Sequence, residues 1–318
     1  MKLDSGTKDI IEEYLDEERL KRMIQDTSII AWERKIEMGD IESWLNNFDG
    51  SCLENVKDER KIALWLLAHF TFYPLSDIRI LCKELYQQYL HTKLLEIKGD
   101  IDENNIENTL KIILKDTLFL GLGNNSESGN NILYYFRQEN RLLKSNFRFD
   151  LNKKFGNIVY IDDVTISGSQ ADTYIKSTNL KGEKQYFATL MATEEAINYI
   201  RGKNPNINVI AAMVLDEREK AFAKENHIFG DKKISNLKEC VKEFCRYYGE
   251  QAIQGIEDMQ AQPLGYGDGQ YLIGFEHNTP NNTLPIFWGT GNGWRPLFKR
   301  YSKIYSWKEW KLDEYKYY

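Results

Sequence analysis

Short apolar runs alternate with stretches of helical period between residues 117 and 215, and this alternation predicts an α/β layer built on a parallel sheet. Residues 117–123 (TLFLGLG), 158–161 (IVYI), 185–192 (QYFATLMA) and 208–215 (NVIAAMVL) read as strands buried on both faces, because they are nearly continuous in apolar residues. Between them 132–143 and 194–201 carry the helical period, 176–184 reads as a helix end and turn, and 146–149 as one further short strand. Right-handed crossovers are expected throughout. Upstream, Ile10, Ile11, Tyr14 and Leu15, then Ile62, Trp65, Leu66, Leu67 and Phe70, then Ile78, Leu81, Leu85 and Tyr89 fall at helical spacing. Ser76 is the expected N-cap after Pro74, and Trp32, Trp44 and Trp65 are expected in the core. The pattern therefore predicts a helical N-terminal domain over residues 1–107 and an α/β domain over 108–318, divided in the polar stretch 98–108. A last strand is expected near 270–275, ahead of a loop dense in Asn, Thr and Pro.

The most informative segment is the second of these strands with the turn at its carboxyl end. Asp162 and Asp163 come directly after 158–161, where open α/β sheets hold their ligands, and two acids there suit sugar hydroxyls or the waters around Mg2+. Ser167, Gly168 and Ser169 come next, small enough for the backbone to approach a ligand closely. A helix starting near Ser169 would turn its first N–H groups toward a phosphate. Residues 124–131 (NNSESGNN) form a second strand-to-helix loop, open between an anion cradle and a plain surface loop; Arg137 and Arg141 are expected to solvate the helix after it.

At these residues the chain resembles the type I phosphoribosyltransferases, whose signature is an apolar strand, two acids, two apolar or small residues and a small hydroxyl-rich loop. Ser167 matches that loop conservatively, whereas Gln170 stands where a second small hydroxyl is usual. The resemblance implies a type I phosphoribosyltransferase-like sheet flanked by helices and 5-phosphoribosyl-1-pyrophosphate (PRPP) or a related nucleotide as ligand. It implies Asp162 and Asp163 on the ribose hydroxyls and, through water or ribose, on Mg2+. Val164, Thr165, Ile166, Ser167, Gly168, Ser169 and Gln170 would then surround the 5-phosphate, with Ser126 and Gly129 toward pyrophosphate.

Further along, His277 succeeds Glu276 at an expected strand end, where an imidazole can act as general base; Asn278 and Asn281 beside it can bind a base edge or phosphate. The same residues also suit a loop closed by Asx-type turns, and Trp288 and Trp294 suit core or lid packing. Together with residues 277–283, Phe287, Trp288 and 294–298, the signature resembles the phosphoribosyltransferase-like family of prokaryotic conflict systems. That resemblance implies an anti-phage effector or toxin, of the kind encoded beside some retron reverse transcriptases.

Composition fits this picture. With 42% hydrophobic and 28% charged residues, 318 residues suffice for one large core or two modest ones. No apolar run approaches bilayer length and the first 22 residues are acidic and polar, so a cytoplasmic protein without a membrane partner is expected. Cys52, Cys82, Cys240 and Cys245 lack CxxC spacing, which argues against a zinc site and for reduced, buried thiols. Residues 1–115 carry 16 Lys and Arg against 23 Asp and Glu, leaving 26 against 25 for the rest, so the N-terminal part is a poor nucleic-acid clamp. Residues 294–318 interleave nine aromatics with seven Lys or Arg, a mixture suited to stacking bases or to an amphipathic helix packed on the core; Arg300 and Lys303 distinguish the two.

Three functions are the resulting expectations. One is an enzyme that displaces pyrophosphate from C1 of PRPP, or hydrolyses a nucleotide's glycosyl bond, with His277 activating the acceptor. Another is a catalytically silent sensor of PRPP or a nucleotide. The third is an interaction subunit that docks a reverse transcriptase or its nucleic acid; homo-oligomerisation is compatible with each. The short stretch 150–157 leaves no room for a long catalytic lid between the strand at 146–149 and the signature strand, although Lys153 and Lys154 lie there.

Overall fold

The computed structural model describes residues 3–97, 105–123, 128–148, 154–178, 180, 182–256 and 261–301. Its elements run α1 (Ser5–Tyr14), α2 (Glu17–Ile30), α3 (Met38–Leu45), α4 (Val56–Ala68), β1 (Thr71–Tyr73), α5 (Leu75–Glu96), α6 (Ile106–Lys115) and β2 (Thr117–Gly121). Next along the chain come α7 (Ser128–Glu139), β3 (Phe155–Thr165), α8 (Ser169–Thr178), β4 (Gly182–Thr193), α9 (Glu194–Lys203), β5 (Ile207–Leu215), α10 (Lys238–Ile253) and β6 (Ile273–Phe275). The chain divides into two compact units, one made of Met1–Phe72 with Lys220–Tyr318 and the other of Tyr73–Glu219. The division thus falls after Phe72 and after Glu219, while the position expected from composition, near residue 107, lies in the first turn of α6.

In the first unit the expected helices form as α1 and α4, and these two and α2 each begin at a side chain that accepts an otherwise orphaned backbone N–H: Asp4 from Thr7, Asn55 from Lys57 and, for α2, Asp16 from Arg19. Their apolar faces close on residues from the far end of the chain. Trp44 stacks on Phe287 at 5.3 Å and donates its indole N–H to the Ile286 carbonyl, while Phe48 stacks on Phe244 and meets Trp294 edge-on. Phe70 stacks on Phe298 at 4.2 Å, and Thr71 of β1 donates its N–H to Leu272 beside β6. Trp288 and Trp294 are therefore core residues. Glu59, fully buried, accepts from the backbone N–H groups of Gly50, Cys52 and Leu53 and from the Tyr248 hydroxyl. A carboxylate can occupy the interior because four donors replace its water.

The second unit is a four-stranded, all-parallel sheet in the order β2-β3-β4-β5, meeting the expectation of a parallel α/β layer flanked by helices. Register pairs Phe119 with Val159 and Tyr186 with Val159, so these residues share a face. Phe119 meets Tyr89 of α5 and Phe136 of α7, and Tyr186 meets Tyr89. The alternate residues Leu118, Ile158, Tyr160 and Phe187 pack with Ala171 and Ile175 of α8 and Ile200 of α9 on the other face. α7 packs on the face opposite α8 and α9. The expected strand at 146–149 does not form among the described residues. Residues Lys144–Phe147 form a 3-10 turn instead of a strand, because the buried Asn146 amide donates to the carbonyls of Leu114 and Thr117. No strand is thus placed outside β2 among the described residues.

The N-cap of α5 is Pro74, whose carbonyl receives the N–H groups of Asp77 and Ile78, and Ser76 lies inside the first turn. Proline's extended backbone and missing donor suit that position. At the other end of α5, buried Lys93 donates to Glu96, Asn157 and the Tyr186 hydroxyl, and Glu96 also receives Lys184 and Asn208. The helix is tied to the amino-terminal edge of the sheet by a closed polar network. All four cysteines are free, and burial pushes the Cys52 and Cys82 thiols up to about 12. No helix among the described residues is long and apolar enough to cross a membrane.

Candidate functional site

β2 pairs with β3 as far as Gly121 opposite Ile161, and the next N–H, of Leu122, donates to the Ile161 carbonyl at 2.7 Å. Asp162 and Asp163 are the first residues of β3 beyond that edge. The strand continues through both acids to Thr165 because β4 runs on beside it, pairing Asp162 with Thr189 and Thr165 with Ala192. Consecutive strand residues point to opposite faces, so the two acids are placed differently. Asp163, half-buried, is on the α7 side: Ser128 donates its hydroxyl to Oδ1 at 3.0 Å and the Val164 N–H donates to the same oxygen at 2.8 Å. Asp162 is buried toward the α8 face, beside Thr189.

The turn after β3 is fastened by its neighbours. Thr189 donates to the Asp163 carbonyl at 3.0 Å, and Thr193 donates to the Ile166 carbonyl at 2.6 Å while accepting the Ala196 N–H to start α9. Gly168 has a φ of 74°, and an added Cβ would stand 3.0 Å from the Ala196 carbonyl oxygen, so both conformation and space call for glycine. Its carbonyl accepts the Asp172 N–H and opens α8 at Ser169, as the small residues predicted. The Ser167 and Ser169 hydroxyls lie 3.0 Å apart. Ser167, Ser169 and Gln170 are exposed, Val164 and Ile166 half-buried, and Thr165 and Gly168 buried. First-turn N–H groups lack partners within their own helix, so an exposed hydroxyl-rich helix start offers donors to an anion.

Gly129 is buried where α7 meets the strand ends; a Cβ there would fall 2.4 Å from the Leu122 oxygen and 3.0 Å from the Ile161 oxygen. Its backbone therefore lies directly against β2 and β3. Ser126, singled out with it, lies outside the described residues, as do Lys153 and Lys303. His277, Asn278 and Asn281 belong to the first unit, whereas residues 162–170 belong to the second. There the His277 ring contacts Phe275 at 5.5 Å, the Asn278 side chain accepts the Tyr301 N–H, and the Asn281 carbonyl accepts the Tyr266 N–H. Arg300 donates to the Thr279 carbonyl and lies over the Trp288 ring. Ser128, Thr189 and Thr193 escaped the sequence reading. Thr193 was findable, as a hydroxyl directly before Glu194 and Glu195 at a helix start; Ser128 carried no local signal.

The connections leaving β2 and β3 part to opposite faces, through α7 and α8, and the acids stand at that parting. In open α/β sheets the crevice at such a switch point is where ligands bind. Fold and site thus define an α/β protein with an acid pair and an anion-ready turn at a topological switch point. The chain belongs to the PRTase-CE family, whose profile matches residues 41–300. No curated protein matches it. Among solved structures, an orotate phosphoribosyltransferase from Aeropyrum pernix is similar over 44% of this chain and 71% of its own, at 12% identity and a TM-score of 0.26.

Proposed function

We infer that residues 162–170 bind the ribose 5-phosphate part of PRPP or a related nucleotide, and that the protein displaces pyrophosphate from C1 of that ligand. One observation carries the reading: two acids at the switch point run directly into a glycine turn pinned by Thr193 and opening a helix. Asp162 and Asp163 take the sugar hydroxyls, and the N–H groups at the start of α8 take the 5-phosphate. No group of three or more His, Cys, Asp and Glu side chains gathers into a metal site among the described residues. Of the two acids, half-buried Asp163 is the one whose carboxylate fits a Mg2+ ion that keeps its waters and takes the ligand's own oxygens, which is how this hard cation is commonly held. When bound, Mg2+ would offset the charge of the departing pyrophosphate.

Phosphorus NMR of the protein with PRPP, Mg2+ and a mixture of bases and nucleosides tests this, against the Asp162→Ala/Asp163→Ala double variant. Pyrophosphate released only by the unmutated chain is the expected result; absence of PRPP binding would sink the reading. A second reading, a PRPP or nucleotide sensor without turnover, is favoured by the short stretch of sequence between the turn at Lys144–Phe147 and the start of β3 at Phe155, which leaves little chain for a closing lid. Bound but unchanged PRPP would select it. The resemblance to conflict-system proteins adds a cytoplasmic anti-phage effector role, with a retron reverse transcriptase or its nucleic acid as partner. Co-purification of the full chain with that enzyme would test the partnership.

A further inference from the structure

We propose that Ser128 is a positioning residue for Asp163, setting the carboxylate for the sugar hydroxyl it receives; this rests on the ribose phosphate reading above. The Ser128 hydroxyl donates to Asp163 Oδ1 at 3.0 Å, across 35 residues of chain, and the Val164 N–H holds the same oxygen at 2.8 Å. Two donors from different directions restrict the rotation of a carboxylate more than either donor does by itself. The second donor comes from a rigid source. Ser128 opens α7 next to Gly129, which lies so close to the backbones of Leu122 and Ile161 that no Cβ fits. Gly129 thus seats the start of α7 against the strand ends, and Ser128 beside it presents its hydroxyl to Asp163 of β3. A carboxylate held in this way binds a hydroxyl without first losing side-chain freedom, and that entropy otherwise subtracts from affinity.

The role is specific to the sugar. The 5-phosphate is assigned to the turn at 166–170, which is held by Thr193 and Gly168 and makes no use of Ser128. Affinities of ribose 5-phosphate and of inorganic phosphate, measured by calorimetry on the full chain, separate the two. In the unmutated protein the sugar should bind more tightly than phosphate. Ser128→Ala should lower that ratio about five- to tenfold, the size of one ordinary hydrogen bond, with phosphate affinity and urea midpoint unchanged. Ser128→Thr, which keeps the hydroxyl, should restore the ratio to within about twofold, on the same basis. An unchanged ratio in Ser128→Ala, or an equal loss of both ligands, overturns the positioning role alone. If the unmutated chain binds ribose 5-phosphate no better than phosphate, the ribose phosphate reading falls and this proposal with it.

Discussion

Gly168 concentrates the requirements of the candidate site in one residue. Its left-handed backbone costs a residue with a Cβ about 1–2 kcal/mol, and the Ala196 oxygen at 3.0 Å leaves that Cβ no room. Gly168→Ala should therefore lower stability by about 1–2 kcal/mol and weaken phosphate binding, read by urea denaturation and calorimetry. Folding at unchanged stability with full phosphate affinity would show that the turn does not need this conformation. Glu59 makes the contrasting case of a buried acid without a ligand. Its carboxylate replaces water for three backbone N–H groups and the Tyr248 hydroxyl; Glu59→Ala leaves the three N–H groups stranded, with Tyr248 keeping Asp49, and should cost about 3 kcal/mol or more. A thermal midpoint shifted by less than a degree or two would refute that account. In the sequence Glu59 is one acid among many, and only its burial and partners set it apart from the candidate ligands Asp162 and Asp163.

Among the elements, β3 was legible because four apolar residues in a row specify a strand buried on both faces, and the start of α8 because Ser167, Gly168 and Ser169 mark a turn into a helix. The turn at Lys144–Phe147 was not, since Asn146 finds its acceptors on Leu114 and Thr117, about 30 residues away, and nothing local announces them. Ser128 escaped for the same reason. The seam of α7 with β2 and β3 gives a sharp expectation: Gly129→Ala sets a methyl 2.4 Å from a backbone oxygen that cannot retreat without breaking β2 from β3. That variant should open the strand ends, seen as faster amide exchange at Leu122, and should lose ribose 5-phosphate affinity; native exchange there would contradict the close packing. α5 supplies a pH test. Burial raises the Glu96 carboxyl, but hydrogen bonds from Lys184, Tyr186 and Lys93 outweigh it and hold the group below its ordinary value. A depressed carboxylate adds stability that is present above its unfolded pKa of about 4.3 and lost as pH falls through the lower folded value. The urea midpoint of the unmutated chain should thus fall more steeply between neutral and acid pH than that of Glu96→Gln, and parallel curves would remove Glu96 from the acid response.

At the scale of the molecule, one unit is built from both ends of the chain while the sheet unit is continuous between them. Trp44 and Phe48 of the N-terminal helices find their ring partners at Phe244, Phe287 and Trp294, and Phe70 finds its partner at Phe298. Helical period alone made residues 1–107 look like a self-sufficient domain, because an amphipathic face states that it will be covered without stating by what. Closing this unit requires pairing positions more than 200 residues apart, whereas the sheet unit joins neighbours through α7, α8 and α9, so its contacts are the more local and should form first. A chain stopped after Glu219 should consequently keep the far-ultraviolet signature and exchange protection of β2 to β5. Its helices α1 to α4, stripped of their aromatic partners, should lose near-ultraviolet tryptophan signal, bind a hydrophobic dye and be cut by protease before the sheet is. Retention of a native tryptophan spectrum in that truncated chain would mean that the N-terminal helices bury their own rings, and the interleaved core would no longer explain how this unit is held together.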